Sequence, residues 1–162
     1  MSPNSFSNFN ISLPRQLHEV TYRSASRPHK LWSAGVTHFS RVIKAVIDVP
    51  SADHERELAF WRGATGAELP QFSFTEYHGS ALPGQEFALL VQRLDDGQAG
   101  VHLDIHTDDV DAEVDRLEKL GAERVQQAHS LWWIMRDPAG LAFCVIPDPP
   151  GSLNEENSHR WD

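Results

Sequence analysis

The stretch Lys44-Ala45-Val46-Ile47-Asp48-Val49, running on to Gly66-Ala67-Glu68, is echoed by His102-Leu103-Asp104-Ile105-His106-Thr107, running on to Gly121-Ala122-Glu123. Each copy reads as a strand, a polar turn, a helix ending in Gly-Ala-Glu, and then further strands. Self-similarity of this kind marks a duplicated module. Two modules that curl around a shared hollow leave a pocket between them. The repeat therefore points to an α+β fold of two like modules.

The second copy is the cleaner one. Val101, Leu103 and Ile105 alternate with His102, Asp104 and His106, so this strand has one apolar and one polar face. Asp108 or Asp109 caps the next helix, in which Val110, Val114, Leu117 and Leu120 form one stripe and Gly121 supplies a left-handed exit. Val125 opens another strand and residues 131–136 form the next. Asp137-Pro138-Ala139-Gly140 then turns tightly into a last strand over 141–146. In the first copy, 42–49 reads as a buried strand broken by Pro50-Ser51-Ala52-Asp53. A helix carrying Leu58 and Trp61 follows, ended by Gly63 to Gly66. Phe72, Phe74 and Tyr77 alternate as a strand would, Leu82-Pro83-Gly84 turns, and 86–93 reads as a strand with a buried centre. The chain thus divides into a flexible arm over 1–40, a domain over 41–147 with modules 41–94 and 100–147, and a polar tail over 148–162 with Trp161 near its tip.

Composition bounds the function classes. A chain of 162 residues, 40% hydrophobic, builds one core without covalent staples. Its single cysteine, Cys144, rules out an internal disulfide, and no cationic stretch leads into an apolar run. Both facts point to the cytoplasm. No apolar run approaches the roughly 20 residues that span a bilayer. The net charge of -9 is uneven: residues 1–40 sum to +3 through Arg15, Arg23, Arg27 and Lys30 against Glu19, whereas 41–150 sum to -10. An acidic body repels phosphate backbones, which argues against nucleic acid as a partner. There is no Gly-x-Ser-x-Gly, no phosphate-cradling glycine loop, no Cys-x-x-Cys and no His-Glu-x-x-His.

The paired modules, Phe60-Trp61 followed by Gly66, His102 opening the second copy, Arg116-Leu117, Gly121-Ala122, and Asp137-Pro138-Ala139-Gly140 before Phe143 together resemble the vicinal oxygen chelate superfamily. The similarity covers about residues 41–147, and its nearest branch is that of glyoxalase-like, bleomycin-resistance-like single-domain proteins. The resemblance implies two βαβββ modules that form a cupped mixed sheet around a central cavity, a homodimer, and a small organic molecule bound between the modules. It admits lyase, isomerase and dioxygenase members as well as non-catalytic drug-sequestering ones. The expectation is a lyase- or isomerase-type enzyme with a non-standard metal site. The alternatives are a protein that only binds or sequesters a small molecule, and a dimerisation or regulatory module.

Metal sites of the superfamily draw one side chain from the first and last strand of each module. The resemblance places Lys44, Gln92, His102 and Cys144 in those positions. His102 stands where a histidine is common and Gln92 offers a neutral oxygen, so these two are the metal-ligand candidates. Lys44 has no lone pair to donate while protonated, and Cys144 replaces a usual carboxylate, so a divalent cofactor stays open but disfavoured.

Each candidate has a plainer reading. On a strand His102 and His106 lie roughly 13 Å apart at about 3.3 Å per residue, too far to share one ion, and His106 receives no role. His102 is a pocket residue or a ligand. Asp104, on the face of His102, is a catalytic partner that orients it or acts as a base, or else a solvated carboxylate. Lys44 holds an anionic ligand or pairs with Asp104 across the sheet, and Cys144 is an inert small hydrophobe or a reactive thiol. Trp132 and Trp133 are adjacent on a strand and face opposite sides; Trp133 is the ligand-binding candidate.

Overall fold

The computed structural model describes residues 36–162 apart from Ser73 and His129. Strand β1 (His38–Pro50) is followed by helix α1 (His54–Thr65), β2 (Tyr77–Ala81) and β3 (Ala88–Leu94). The second module supplies β4 (Gly100–Thr107), α2 (Val110–Lys119), β5 (Glu123–Ala128), β6 (Trp132–Arg136) and β7 (Ala142–Pro147), and β8 (His159–Trp161) closes the chain. One mixed, open sheet runs in the order β2-β3-β1-β4-β7-β6-β5, with β8 paired to β1. At its centre β1 and β4 pair antiparallel, and each pairs in parallel with the last strand of its own module, β3 and β7 respectively. The duplication seen in sequence is therefore a symmetry of the sheet.

Both helices form where the sequence predicts. Asp109 accepts the Ala112 amide at 3.0 Å to cap α2, and Asp111 and Glu113 in its first turn oppose Arg116 and Lys119 in its last, in line with the helix dipole. Helix α1 ends at Gly66, whose φ of 69° only glycine adopts without strain. On one face of the sheet α1 covers Ile47, Val49, Leu89 and Val91 with Leu58, while α2 covers Met135, Val145 and Phe143 with Val110, Val114 and Leu117. Leu120 leaves the predicted stripe and is exposed, because the helix ends before it. The other, inner face carries a smaller cluster of Ala128, Ile134, Cys144, Trp132 and Ile146.

Four expectations need correction. The alternating Phe72, Phe74 and Tyr77 do not make a strand: Tyr77 donates its amide to the Phe74 carbonyl, closing a turn, and a single bridge between Gln71 and His78 stands where the first module would place a third hairpin strand. Pro70 has no N–H for a ladder, and Leu69, fully buried in the core beneath α1, takes a positive φ of 47° that breaks the extended run. The β-rich region also begins earlier than 41. The arm placed at 1–40 lies outside the described residues up to 35, but His38, Phe39 and Ser40 belong to β1. The tail placed at 148–162 is part of the fold, since β8 pairs with 38–40 and the Trp161 indole donates to Ser40 Oγ at 2.8 Å. The fourth concerns Trp133, which packs beneath α2 with Arg124 5.2 Å over its ring. Trp132, on the alternate parity, faces the inner side instead.

Candidate functional site

The inner face is written by strand parity. In one row across β1, β4 and β7 lie Lys44, Asp104 and Cys144; the next row holds Leu90, Val46 and His102; the third pairs Gln92 with Asp48. Residues paired across neighbouring strands point to the same side, so five of the six residues singled out in the sequence share one face. Trp133 is the exception. The site also gains Asp48, which sequence reasoning passed over although it shares the parity of Lys44 on β1.

His102 is the centre of the cluster. Its Nδ1 donates to Asp48 Oδ2 at 2.8 Å, and its Nε2 lies 3.7 Å from Asp104 Oδ1. On its far side Asp104 presents Oδ2 to Lys44 Nζ at 4.0 Å. The result is a chain Asp48–His102–Asp104–Lys44 of alternating sign. Burial works against a charged imidazole, but the hydrogen bond and charge of Asp48, with the charge of Asp104, outweigh it and raise the His102 pKa. Asp104 goes the other way from an ordinary carboxylate. Burial raises its pKa more than His102, Lys44 and His106 lower it. Asp104 is only 4% exposed, and its Oδ1 has no hydrogen-bond partner among the described residues. Gln92, 2% exposed, likewise has an Oε1 without a partner among those residues.

Three further groups border this chain. Cys144 is buried, and burial, reinforced by Asp104 and Asp48, pushes its thiol well above the usual range, so the inert reading of this residue fits. Tyr77 on β2 pairs with Gln92 across the sheet, and its phenol is raised by burial and then by Cys144, Glu76, Asp104 and Asp48. His106, given no role from sequence, is buried in the next row, between Arg41 on β1 and Ile146 on β7. Its Nδ1 donates to Asp148 Oδ1 while its Nε2 has no partner among the described residues. Only Asp148, far along the chain, reveals this, which is why the sequence did not.

A family model of the glyoxalase-like domain matches residues 44–146. The chain belongs to this family, and with it to the vicinal oxygen chelate superfamily. No curated protein matches the chain in sequence. Among solved structures it is similar to methylmalonyl-CoA epimerase from Mycobacterium tuberculosis, at 18% identity and a TM-score of 0.49 over 75% of this chain and 95% of that one. A mutant 4-hydroxymandelate synthase from Streptomyces coelicolor is similar at 13% identity and a TM-score of 0.48, over 72% of this chain and 51% of that one. A glyoxalase/bleomycin resistance protein from Albidiferax ferrireducens follows at 18% identity and a TM-score of 0.27, over 64% of this chain and 96% of that one. These distant likenesses say nothing of the reaction.

Metal dependence is common in such folds, so the donors require a test of fit. His102, Asp104 and Cys144 each bring one donor atom to within 4.8 Å of the others, close enough for a zinc-sized ion to bridge. Gln92 lies a row away from His102, and Lys44 points its ammonium at Asp104. Charge decides the matter. The two carboxylates are already matched by Lys44 and by the proton that Asp48 favours on His102, and burial keeps the third donor, Cys144, protonated. A divalent cation would have to expel two protons and sit beside an ammonium, so the cluster as built does not fit one.

Proposed function

We propose that this glyoxalase-like protein binds a small organic molecule on the inner face and moves a proton on it, in a lyase- or isomerase-type reaction that needs no metal. The observation that carries this reading is the buried chain Asp48–His102–Asp104, whose last carboxylate has an Oδ1 with no hydrogen-bond partner among the described residues. Asp48 fixes the ring of His102 so that Nε2 faces Asp104, and Lys44 steadies the negative charge of Asp104 from the other side. A carboxylate whose pKa is raised by burial and tempered by two cationic neighbours is a competent base toward a carbon-bound proton. His102, with the proton that Asp48 favours, can supply the proton that returns to carbon. Tyr77, with its raised pKa, stays a neutral hydrogen-bond donor for an oxygen that gains charge.

The test is proton exchange. The protein, stripped with a chelator, is incubated in D2O with a panel of small 2-oxo and 2-hydroxy acids, aldehydes and ketones, and exchange next to the carbonyl carbon is followed by proton NMR. Exchange with at least one member, lost about 100-fold or more in Asp104→Asn and His102→Gln, supports the reading. Exchange that appears only after zinc is added would replace it with a metal-dependent one. Saturable binding without exchange would favour a binding or sequestering protein.

A second reading has one observation in its favour. Val46, Leu90, Gln92 and Ile134 on the inner face are almost fully covered, as expected of a module whose interior is filled by its own side chains and which acts through dimerisation or regulation. The proposed homodimer serves either reading. A cytoplasmic setting is proposed from the single free, buried thiol. Among the described residues no helix is long and apolar enough to cross a membrane.

A further inference from the structure

The pairing of β1 with β4 slips once. Arg41 pairs with His106 and Val42 with Ile105, but Lys44, not Ile43, pairs with Asp104. Ile43 is the extra residue of a β-bulge, and a bulge re-aims the side chains on one side of it. Without it Arg41 and Lys44, three apart, would face opposite sides of the sheet. With it both share the inner face, in successive rows with His106 and Asp104.

These groups are under-used. Among the described residues the buried Arg41 Nε has no partner, and its Nη1 makes two long contacts of 3.4 Å, to the Asn157 carbonyl and to Glu86, itself 85% exposed. Such an exposed pair contributes little. Lys44 is partly exposed, and its nearest carboxylate oxygen is 4.0 Å away. His106, between them and Asp148, donates its Nδ1–H as a hydrogen bond to that carboxylate and leaves Nε2 as an acceptor with no donor among the described residues. Burial, and then Lys44, lower its pKa, which keeps it neutral.

We infer that Arg41 and Lys44 form a carboxylate-binding subsite beside His106, so that the ligand is a small organic acid carrying a hydroxyl or N–H group near its carboxylate. Arg41 offers the carboxylate its unpartnered Nε–H and a second N–H in the fork geometry that suits two oxygens, and Lys44 adds charge. His106 Nε2 accepts from the neighbouring hydroxyl or N–H. A ligand so held extends along β4 toward Asp104 and His102, two and four residues from His106. The inference rests on the proposed use of the inner face for a small molecule, and it specifies the chemical class of that molecule.

Binding can be read without turnover. In protein labelled with 15N, the Arg41 Nε–H signal is followed by NMR while lactate, acetate, lactamide and sodium chloride are titrated in turn. Saturable shifts with lactate, weaker binding of acetate, and no saturation with lactamide or chloride support the subsite. In Arg41→Gln the lactate Kd rises about 10-fold or more, read at the backbone amides of His106 and Asp104, and Arg41→Lys recovers part of it. Equal responses to lactate and lactamide, or no saturable shift in a well-folded protein, overturn the subsite. Proton exchange on neutral carbonyl compounds could still stand in that case, and carboxylate binding without exchange would uphold the subsite while sinking the proton-transfer reading.

Discussion

Glu113 and Asp104 are both buried carboxylates, on opposite faces of one sheet, and the protein treats them in opposite ways. Glu113, on α2, is 0% exposed yet fully served: Arg116 donates two hydrogen bonds at 2.7 Å, Ser40 donates at 3.0 Å, and His38 Nε2 lies at 2.9 Å. Burial alone would raise its pKa, but these bonds outweigh it and the pKa is lowered. Arg116 in turn lies 3.6 Å over the Trp161 ring, which ties β8 into the same network. Asp104 keeps one oxygen unpaired, holds Lys44 only at 4.0 Å, and has a raised pKa. A satisfied buried charge fastens elements together; an unsatisfied one holds chemistry in reserve.

The largest effect that tests this contrast is Glu113→Ala. It strands the Arg116 guanidinium and His38 in a buried site, and the loss is expected to be about 3–5 kcal/mol, or roughly a 10 °C fall in Tm for a domain of this size. Asp104→Asn should instead leave Tm within about 3 °C of the parent, or raise it, because it removes a poorly solvated charge. Thermal melts of the two variants decide the point. If both fall alike, Asp104 is as structural as Glu113.

The pH dependence sharpens the same comparison. Glu113, its folded pKa depressed below 4.5, contributes stability that is present above that value and lost as pH falls through the folded value. The deficit of Glu113→Gln relative to the parent should therefore shrink toward pH 3. Asp104 has a folded pKa above 3.8, so what it contributes is complete below that value and is lost as pH rises through the folded value. Any gain from Asp104→Asn should grow from pH 4 toward neutrality. Denaturant melts across pH 3 to 7 measure both slopes; parallel slopes would refute the assignment.

What the sequence revealed and what it hid follow the same physical divide. Periodicity reports which face a residue takes, so the alternation over 101–107 located β4, placed His102 and Asp104 together, and with the Gly-Ala-Glu echo led to the two-module sheet. The sequence allows Lys44 to pair with Asp104 or to hold an anionic ligand, and in the structure its ammonium lies 4.0 Å from Asp104 Oδ2. Parity fails wherever the register breaks: the bulge at Ile43 concealed Arg41, and the turn after Pro70 made Phe72 and Phe74 look like a strand. It cannot choose between Trp132 and Trp133, since both parities are occupied and only packing tells which side holds α2. Partners distant in sequence leave no local trace. Asp148 beside His106, and Glu113 reaching His38 and Ser40, are invisible until the chain is folded.

A smaller effect probes the edge of the structural network. Deleting residues 1–40 removes His38 and Ser40 together with the three-residue segment of β1 that β8 pairs with, whereas deleting residues 1–35 spares them. The longer truncation should melt several degrees lower than the shorter. Equal melting temperatures would mean that the Glu113 network draws its strength from Arg116 alone.

The subtlest test works on the inner cluster. Lys44→Glu removes the ammonium that holds Asp104 and places a second carboxylate in the row of Asp104 and Cys144. The ammonium, the largest part of the charge objection to a divalent ion, is then gone and only the protons on His102 and Cys144 remain to be displaced, so calorimetry with zinc should show binding of about one equivalent that the parent lacks. Zinc binding of equal strength in both proteins would show that Lys44 is no barrier, and the metal-free account of the site would have to give way. Binding in neither would locate the obstacle in the Cys144 thiol, which burial holds protonated, and Cys144→Asp in the Lys44→Glu background should then supply the missing oxygen donor.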